Sequence, residues 1–239
     1  MKNEHIAAHA VWESHRDELL RQDQSHWRGV GRWEDDEAWK NIGNETLLNI
    51  EKALKIIGRD RGEITGSTVL EWGPGGGANL FAFRNSAENY IGIDISRKNL
   101  LESMRMLNAE NSAVVFDAVL LKENIEDAVE SFQDKVDFFI STAVFQHFPS
   151  KVYGSHVLSA IRKCCKRDAV GVIQIRYDNG FSKYRGITDI SEYEQKFVTA
   201  NSYQIEEFWE LLQSNGFKPI AITDIITRVN YATYLISAT

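Results

Sequence analysis

Hydrophobic residues along the chain change their spacing at about Ser67. Before that point they recur at helical spacing, which predicts an amphipathic helix over His5–Arg21 and a second helix from Asn44 to Ile57 that stops at Gly58. After it, short apolar runs alternate with helical stretches. This alternation is typical of an α/β fold in which helices cover both faces of a parallel sheet.

The alternation predicts seven strands and five further helices. The predicted strands are Thr68–Trp72, Tyr90–Ile93, Ala113–Phe116, Val136–Ser141, Val170–Tyr177, Phe217–Thr223 and Arg228–Ser237. The predicted helices are Ala78–Phe83, Ser96–Ala109, Asn124–Phe132, Tyr153–Cys165 and one that begins with a capping-box pattern at Asn201 and Gln204 and stops at Gly216. Only a short turn separates the last two strands, so we expect them to run antiparallel.

The first strand ends in an unusual turn. Glu71 and Trp72 close the strand, and four glycines follow at Gly73, Gly75, Gly76 and Gly77. Glycine lets the chain turn sharply and lets a ligand approach the backbone closely. A strand, a glycine turn and a helix N-terminus together form a cradle for a polar ligand. The second strand ends at Asp94, about 20 residues after the turn, where an acid can bond a ribose hydroxyl.

Two cofactors fit this arrangement. Gly73-x-Gly75-x-x-Ala78 satisfies the dinucleotide fingerprint with alanine in the last place, which permits an NAD(P)-binding oxidoreductase. The same stretch is Glu71-x-Gly73-x-Gly75-x-Gly77, and in this form it resembles the class I (Rossmann-like) S-adenosylmethionine (SAM)-dependent methyltransferases. A carboxylate such as Glu71 favours the sulfonium and ammonium of SAM, whereas it would repel a pyrophosphate.

The resemblance covers about Ser67 to Thr239 and implies a fold. It implies a Rossmann-like, seven-stranded, mostly parallel sheet with an antiparallel last strand and helices on both faces. We expect residues 67–239 to form the SAM-binding methyltransferase domain. We expect residues 1–66 to form an N-terminal helical extension, or lid, packed on that core.

The resemblance also implies a set of cofactor contacts, with SAM as methyl donor and S-adenosylhomocysteine as product. Glu71 and the glycine turn would hold the methionine and ribose parts, Asp94 the ribose hydroxyls, and Asp117 with the Ala118 N–H the adenine. The full set expected at the cofactor is Glu71, Trp72, Gly73, Gly75, Gly77, Asp94, Ile95, Asp117, Ala118 and Thr142.

Candidate catalytic and acceptor-binding residues follow later strands or precede the first. His147 comes shortly after the fourth strand and has an unperturbed pKa near neutrality, so it is a candidate general base; the alternative is a structural histidine bonded to backbone. Tyr177, Tyr184 and Arg185 lie at or in the long segment after the fifth strand, which we expect to contact the acceptor.

The N-terminal segment Ser25–Glu34 contains Trp27 and Trp33 among glycines and arginines. We interpret it as a lid over cofactor and acceptor, with both tryptophans contacting the acceptor. The alternative is that the tryptophans fix the segment to the body of the protein. Both interpretations are compatible with each other.

The amino-acid composition limits the classes of molecule that we expect as the methyl acceptor. The 239-residue chain carries a formal net charge of −7, with a pI of about 5.4, which argues against a broad phosphate-binding face. We therefore expect a small-molecule acceptor, with a weak preference for a hydroxyl on a sugar or natural-product intermediate, and no nucleic-acid partner. A protein or RNA methyltransferase is the alternative.

Other features bear on location and metals. The adjacent Cys164 and Cys165 predict no disulfide, and no apolar run is long enough to span a membrane, so we expect a cytoplasmic protein. The six histidines show no metal-ligand spacing. His5, His9 and His15 are expected at the surface of the first helix, and we predict no metal.

Overall fold

Seven strands form a single sheet in the computed structural model, which describes residues 2–110, 112–122 and 124–239. They are β1 (Thr68–Trp72), β2 (Asn89–Asp94), β3 (Val115–Leu120), β4 (Val136–Ser141), β5 (Cys165–Arg176), β6 (Phe217–Ile226) and β7 (Tyr231–Ala238). Their order in the sheet is β3-β2-β1-β4-β5-β7-β6. Neighbours from β3 to β5 pair in parallel, whereas β7 is antiparallel to both β5 and β6. The predicted fold class and the antiparallel end are confirmed.

Helices flank this sheet and precede it. They are α1 (Lys2–Glu13), α2 (Glu18–Gln24), α3 (Asp36–Ile56), α4 (Ala78–Phe83), α5 (Arg97–Ala109), α6 (Lys151–Cys164), α7 (Tyr193–Lys196) and α8 (Ile205–Ser214). None of the helices within the described ranges has the length and apolar character needed to cross a membrane.

Two hydrophobic clusters lie on opposite faces of the sheet. One joins α3 and α4 to the sheet through side chains such as Trp39, Ile50 and Phe83. The other joins α6 and α8 to the opposite face through Leu158 and Phe208. Because both faces of the central strands are covered, these strands are apolar almost throughout, as expected for parallel strands buried on both sides.

A third, smaller hydrophobic cluster joins α1 to the segment that follows β5. Ala8 and Val11 of α1 pack against Tyr193, Phe197 and Ala200. The first helix is thereby placed beside the segment that follows β5. This contact positions α1 over the carboxyl ends of the strands.

The predicted helix over His5–Arg21 is two helices. Between α1 and α2 the backbone of Asp17 adopts a left-handed conformation (φ 52°), which breaks the helix. His5 is buried rather than at the surface, because its ring bonds the Tyr153 hydroxyl and the Lys122 carbonyl. Helical spacing continues across the break and therefore does not reveal it.

The predicted start of the next helix at Asn44 is also wrong. α3 begins at Asp36, and the Asp35 carboxylate caps it by accepting hydrogen bonds from the N–H groups of Glu37 and Ala38. Gly43 lies inside this helix. The residue is a glycine because a Cβ at that position would collide with the carbonyl oxygen of Ala78 in α4. The glycine marks a close helix–helix approach and not a helix end.

Three predictions near the later elements need correction. β3 does not end at Asp117 but continues to Leu120, in register with β2 up to Asp94. Residues 124–132 form turns and a short 3₁₀ segment (Glu130–Phe132) in place of the predicted helix. The capping box of α8 is formed by Gln204 with Glu207, not by Asn201 with Gln204.

Candidate functional site

A pocket of about 770 Å³, including its open mouth, lies where β1, β2 and β4 end. We call it the glycine-turn pocket. The strand register places these ends side by side, since Trp72 pairs with Ile93 and Glu71 pairs with Ile140. Residues from four regions line it, among them Ala8, Trp12, Ser25, His26, Glu71, Trp72, Gly73, Gly75, Asn79, Asp94, Ile95, Asn99, Leu121, Thr142, His147, Tyr153 and Tyr193.

Glu71 is a buried carboxyl group in the wall of this pocket. It accepts hydrogen bonds of 2.5 Å from Asn79 Nδ2 and of 2.5 Å from the Tyr90 hydroxyl. Burial raises the pKa of Glu71 to about 7, although both hydrogen bonds lower it. The ionised form therefore gains strongly from any positive charge brought into the pocket.

Asp94 is the second buried carboxyl group. Its oxygens accept hydrogen bonds from the N–H of Ser96 at 2.8 Å, from the N–H of Gly75 at 3.3 Å and from Asn99 Nδ2 at 3.3 Å. Burial raises the pKa of Asp94 to about 6. The bond to Gly75 fixes the carboxyl group against the glycine turn, so the turn and the end of β2 form one wall.

The segment after α2 covers the glycine turn. The Ser25 carbonyl accepts a hydrogen bond of 2.7 Å from the N–H of Gly76, and Ser25 Oγ accepts one of 3.2 Å from Asn99 Nδ2. Trp27 Nε1 donates to Asn99 Oδ1 at 2.9 Å, and Trp39 Nε1 donates to the His26 carbonyl at 2.7 Å. The Trp27 indole thus bonds the segment to α5, and Trp39 bonds it to α3, which agrees with the second interpretation for Trp27.

His147 lines the same pocket from a short 3₁₀ turn after β4. Its Nδ1–H donates to the Phe197 carbonyl at 2.9 Å, so Nε2 carries the lone pair; Gln146 Nε2 lies 3.3 Å from it. Burial lowers the pKa of His147 to about 4. The ring is therefore neutral at neutral pH, with a fixed tautomer and an acceptor nitrogen.

Similarity to known proteins agrees with this geometry. Residues 70–173 match the model of a family described as a methyltransferase domain. This match supports a SAM-dependent methyltransferase domain of class I in that part of the chain. The matched segment begins in β1 and ends in β5, so it contains the glycine turn, Asp94 and His147. No curated protein shows significant sequence similarity to the chain.

Solved structures share the fold of the methyltransferase domain at low sequence identity. A SAM-dependent methyltransferase from Methanosarcina mazei has a TM-score of 0.57 and 16% identity, covering 72% of this chain and 92% of its own. A protein from Bacillus halodurans has a TM-score of 0.60 and 10% identity, covering 79% and 97%. The 1,6-didemethyltoxoflavin-N1-methyltransferase of Burkholderia thailandensis, solved with S-adenosylhomocysteine bound, has a TM-score of 0.56 and 14% identity, covering 80% and 77%.

The residues of the pocket fit SAM, the cofactor of this domain. Two buried carboxyl groups, Glu71 and Asp94, match a ligand with two cationic groups and a ribose. Asn79 Oδ1 is buried in the pocket wall and has no partner among the described residues, so it is available to accept a hydrogen bond from a ligand. When bound, SAM supplies an electrophilic methyl group; the side chains bind it, orient it and exclude water.

The pocket brings together eight of the eleven residues predicted for cofactor binding and catalysis. They are Glu71, Trp72, Gly73, Gly75, Asp94, Ile95, Thr142 and His147. Gly77 lies behind the turn, where a Cβ would meet Ser103 and Met106. Asp117 and Ala118 lie within β3 with exposed side chains, because the strand continues past them and ends nearer Leu121, which does line the pocket.

The five predicted acceptor-binding residues lie outside this pocket. Trp27 bonds Asn99, and Trp33 lines an adjoining cavity described below. Tyr184 is buried beside the Arg176 guanidinium. Tyr177 and Arg185 line separate surface hollows. Of the predicted acceptor segment, Tyr193 reaches the glycine-turn pocket, and Phe197 holds the His147 ring through its carbonyl.

Sequence reasoning missed several residues of the pocket. Asn79 and Asn99 connect the two carboxyl groups to their surroundings, and each stands in the first turn of the helix after its strand. That position was a usable signal. By contrast, Trp12 and His26 reach the pocket only through the packing of the N-terminal segment, and no local pattern marks them.

Proposed function

We propose that the protein transfers the methyl group of SAM to a hydroxyl group of a polar small molecule, a sugar or natural-product intermediate. The observation that carries the proposal is His147 in the wall of the cofactor pocket, neutral and with its lone pair on Nε2. Methylation of a hydroxyl group needs an acceptor for its proton, whereas many amines react without one.

His147 is the proposed general base. The Phe197 carbonyl fixes its tautomer, and the Tyr193 hydroxyl donates to the His147 carbonyl at 2.7 Å, which holds the residue in position. An acceptor hydroxyl placed at Nε2 would give up its proton to that nitrogen, and SAM held by Glu71 and Asp94 would supply the electrophilic methyl group. The low basicity of a buried imidazole is compatible with this role because the proton is lost late, as the oxygen becomes positive.

The pocket surroundings favour a small acceptor over a macromolecule. Ala8 and Trp12 of α1, together with Ser25 and His26, cover the carboxyl ends of the strands. The net charge of −7 gives no electrostatic support for RNA binding. We propose that the protein is cytoplasmic and that residues 1–66 act as an extension of the catalytic domain.

Two measurements test the proposal. Calorimetric titration with S-adenosylhomocysteine, with NAD as the parallel titrant, is expected to show micromolar binding of the first compound only. Transfer of a labelled methyl group from SAM to a panel of sugars, amines, carboxylic acids and RNA is expected to favour hydroxylated small molecules. Labelling of RNA that weakens steeply with salt would contradict the assignment of the acceptor class.

A further inference from the structure

A second cavity opens beside the cofactor pocket, between α3 and the sheet. It encloses about 1,130 Å³, including its open mouth, and we call it the side chamber. Five residues line both cavities: Gln24, His26, Ile42, Thr142 and Ala143. The two spaces are therefore neighbours with a common wall, so a molecule in the chamber lies next to the cofactor.

Polar side chains enter the side chamber because the residues of β5 and β7 on this face of the sheet change from apolar to polar along the strands. On the face of the sheet covered by α3, Val172 and Leu235 pair in the apolar core, whereas the next pair on that face is Gln174 with Thr233. On the facing side of α3, Ala53 belongs to the apolar core, whereas Asn49 and Thr46, one and two turns earlier, line the chamber. A few polar groups in a mostly apolar wall of packed elements are typical of a small-molecule site.

One polar atom in this wall lacks a partner. Gln146 is almost fully buried, and its Nε2 donates to the Ala143 carbonyl at 2.8 Å and to the Tyr231 hydroxyl at 3.1 Å. Its Oε1 is buried and has no partner among the described residues. Because the Ala143 carbonyl can only accept, the amide orientation is fixed. The unpartnered oxygen is available for a ligand O–H or N–H group.

Among the charged side chains that line the side chamber, the cation has an ion-pair partner and two carboxylates have none among the described residues. The Arg32 guanidinium is paired with the Asp23 carboxylate at 2.9 Å. The carboxylate of Asp224 accepts hydrogen bonds from neutral groups only, Asn49 Nδ2 and Thr223 Oγ1, and Glu45 forms no ion pair within the described part of the chain. The balance is negative, so the chamber disfavours an anionic ligand.

We propose that the side chamber binds the methyl acceptor and that this acceptor is a neutral or cationic polyhydroxylated ring compound. This proposal rests on the methyltransferase function proposed above. The amides of Asn41 and Gln174 supply donors and acceptors for hydroxyl groups, and Trp33 supplies an aromatic side chain at the wall. Gln146 Oε1 accepts a hydrogen bond from one hydroxyl or amino group and so selects the orientation of the ring.

The test uses three probes with one ring skeleton and different charges: glucosamine, glucose and glucuronate. Saturation-transfer NMR measures their binding to the full-length protein saturated with S-adenosylhomocysteine. We expect glucosamine and glucose to bind, and glucuronate to bind at least about fivefold more weakly because of the two carboxylates. Glu45→Gln is expected to reduce this preference by strengthening the binding of glucuronate relative to glucose.

A matched pair of variants locates the binding site. Glu45 lines the side chamber, and its exposed neighbour Asn44 does not. Glu45→Trp is expected to abolish probe binding, whereas Asn44→Trp leaves it unchanged. Both positions are exposed, so neither variant disturbs the core.

The outcomes separate this proposal from the proposed function. Three results would each overturn the side-chamber assignment. They are tightest binding of glucuronate, absence of binding by all three probes, and equal probe binding to Glu45→Trp and wild type. S-adenosylhomocysteine affinity is measured in the same samples. Its failure to bind the wild type would contradict the proposed function, whereas normal affinity without probe binding contradicts the side-chamber proposal alone.

Discussion

The carbonyl oxygen of Ser25 accepts a hydrogen bond of 2.7 Å from the N–H of Gly76, the third glycine of the turn after β1. The chain before the sheet is thereby joined to the cofactor-binding turn itself. A Cβ on Gly76 would stand 2.5 Å from the His26 carbonyl oxygen and 2.7 Å from Trp27 Cα. The glycine at this position is thus explained by the covering segment.

Gly76→Ala is expected to displace residues 25–27 from the turn, because backbone atoms 2.5–2.9 Å away cannot accommodate a methyl group without moving. Hydrogen exchange of this segment should become faster, and S-adenosylhomocysteine affinity should fall. Gly62→Ala is the control, since its near neighbour is the flexible Asp60 side chain. Unchanged exchange in Gly76→Ala would contradict a tight contact between segment and turn.

Asp94→Ala is expected to weaken SAM binding by about 1.5–3 kcal/mol, because it removes a charge-assisted hydrogen-bond partner from the pocket. Calorimetry with the folded variant measures the change. Asp117→Ala is the matched control: its carboxylate is exposed within β3, and the structure predicts no change. A larger loss in Asp117→Ala than in Asp94→Ala would restore Asp117 as a cofactor ligand.

The raised pKa of Glu71 predicts a pH dependence of stability. The folded state holds the proton more tightly than the unfolded state, so this carboxyl group's contribution is favourable below about pH 4.5 and is lost as the pH rises through about 7. Relative to Glu71→Gln, the unfolding free energy of the cofactor-free wild type should fall by on the order of 1–3 kcal/mol across this range. Denaturant titrations at pH 4.5, 6 and 8 provide the measurement; a pH-independent difference between the two proteins would exclude the shift.

The same shift predicts proton release on cofactor binding. SAM brings positive charge beside Glu71 and favours its ionised form, so binding near pH 6.5 should release a proton. Calorimetry in two buffers of different ionisation enthalpy detects the release. Glu71→Gln should largely remove it, and an equal release in wild type and variant would assign it to another group.

His147→Ala is expected to reduce turnover by a factor of about 10²–10⁴, while S-adenosylhomocysteine affinity remains nearly unchanged. Steady-state kinetics with an accepted substrate and calorimetry measure the two effects. His26→Ala is the comparison, because His26 lines both cavities and its ring forms no hydrogen bond with the described residues. Full activity of His147→Ala together with loss of activity in His26→Ala would transfer the role of base to His26.

Gly43→Ala is expected to destabilise the protein by about 1–3 kcal/mol, although alanine is the better helix former, because α3 and α4 approach too closely for a Cβ. Thermal or denaturant unfolding measures the change. Asn44→Ala, at the next and exposed position, should change stability by no more than about 0.5 kcal/mol. Stabilisation by Gly43→Ala would show that the two helices can move apart.

The local sequence pattern predicted the elements whose conformation is determined mainly by their own residues and not by contacts with distant segments. β1 and β4 match their predicted bounds, and Ser96 caps α5 as expected. The segment 124–132 has helical composition but forms turns and a short 3₁₀ segment, and α3 begins eight residues before the predicted Asn44. The Asp35 cap is a local signal for that start, whereas the close approach of α4 to Gly43 is visible only in the tertiary structure.

By itself, the sequence determined the fold class, the cofactor and the wall of the pocket formed by Glu71, the glycine turn and Asp94. These follow from short-range chemistry, since a strand, a turn and a helix N-terminus are consecutive in the chain. Tertiary structure alone decided that His26 and Trp12 enter the site and that the side chamber adjoins it under α3. Those residues are brought together by packing between segments far apart in sequence, and such packing depends on the shapes of many side chains at once.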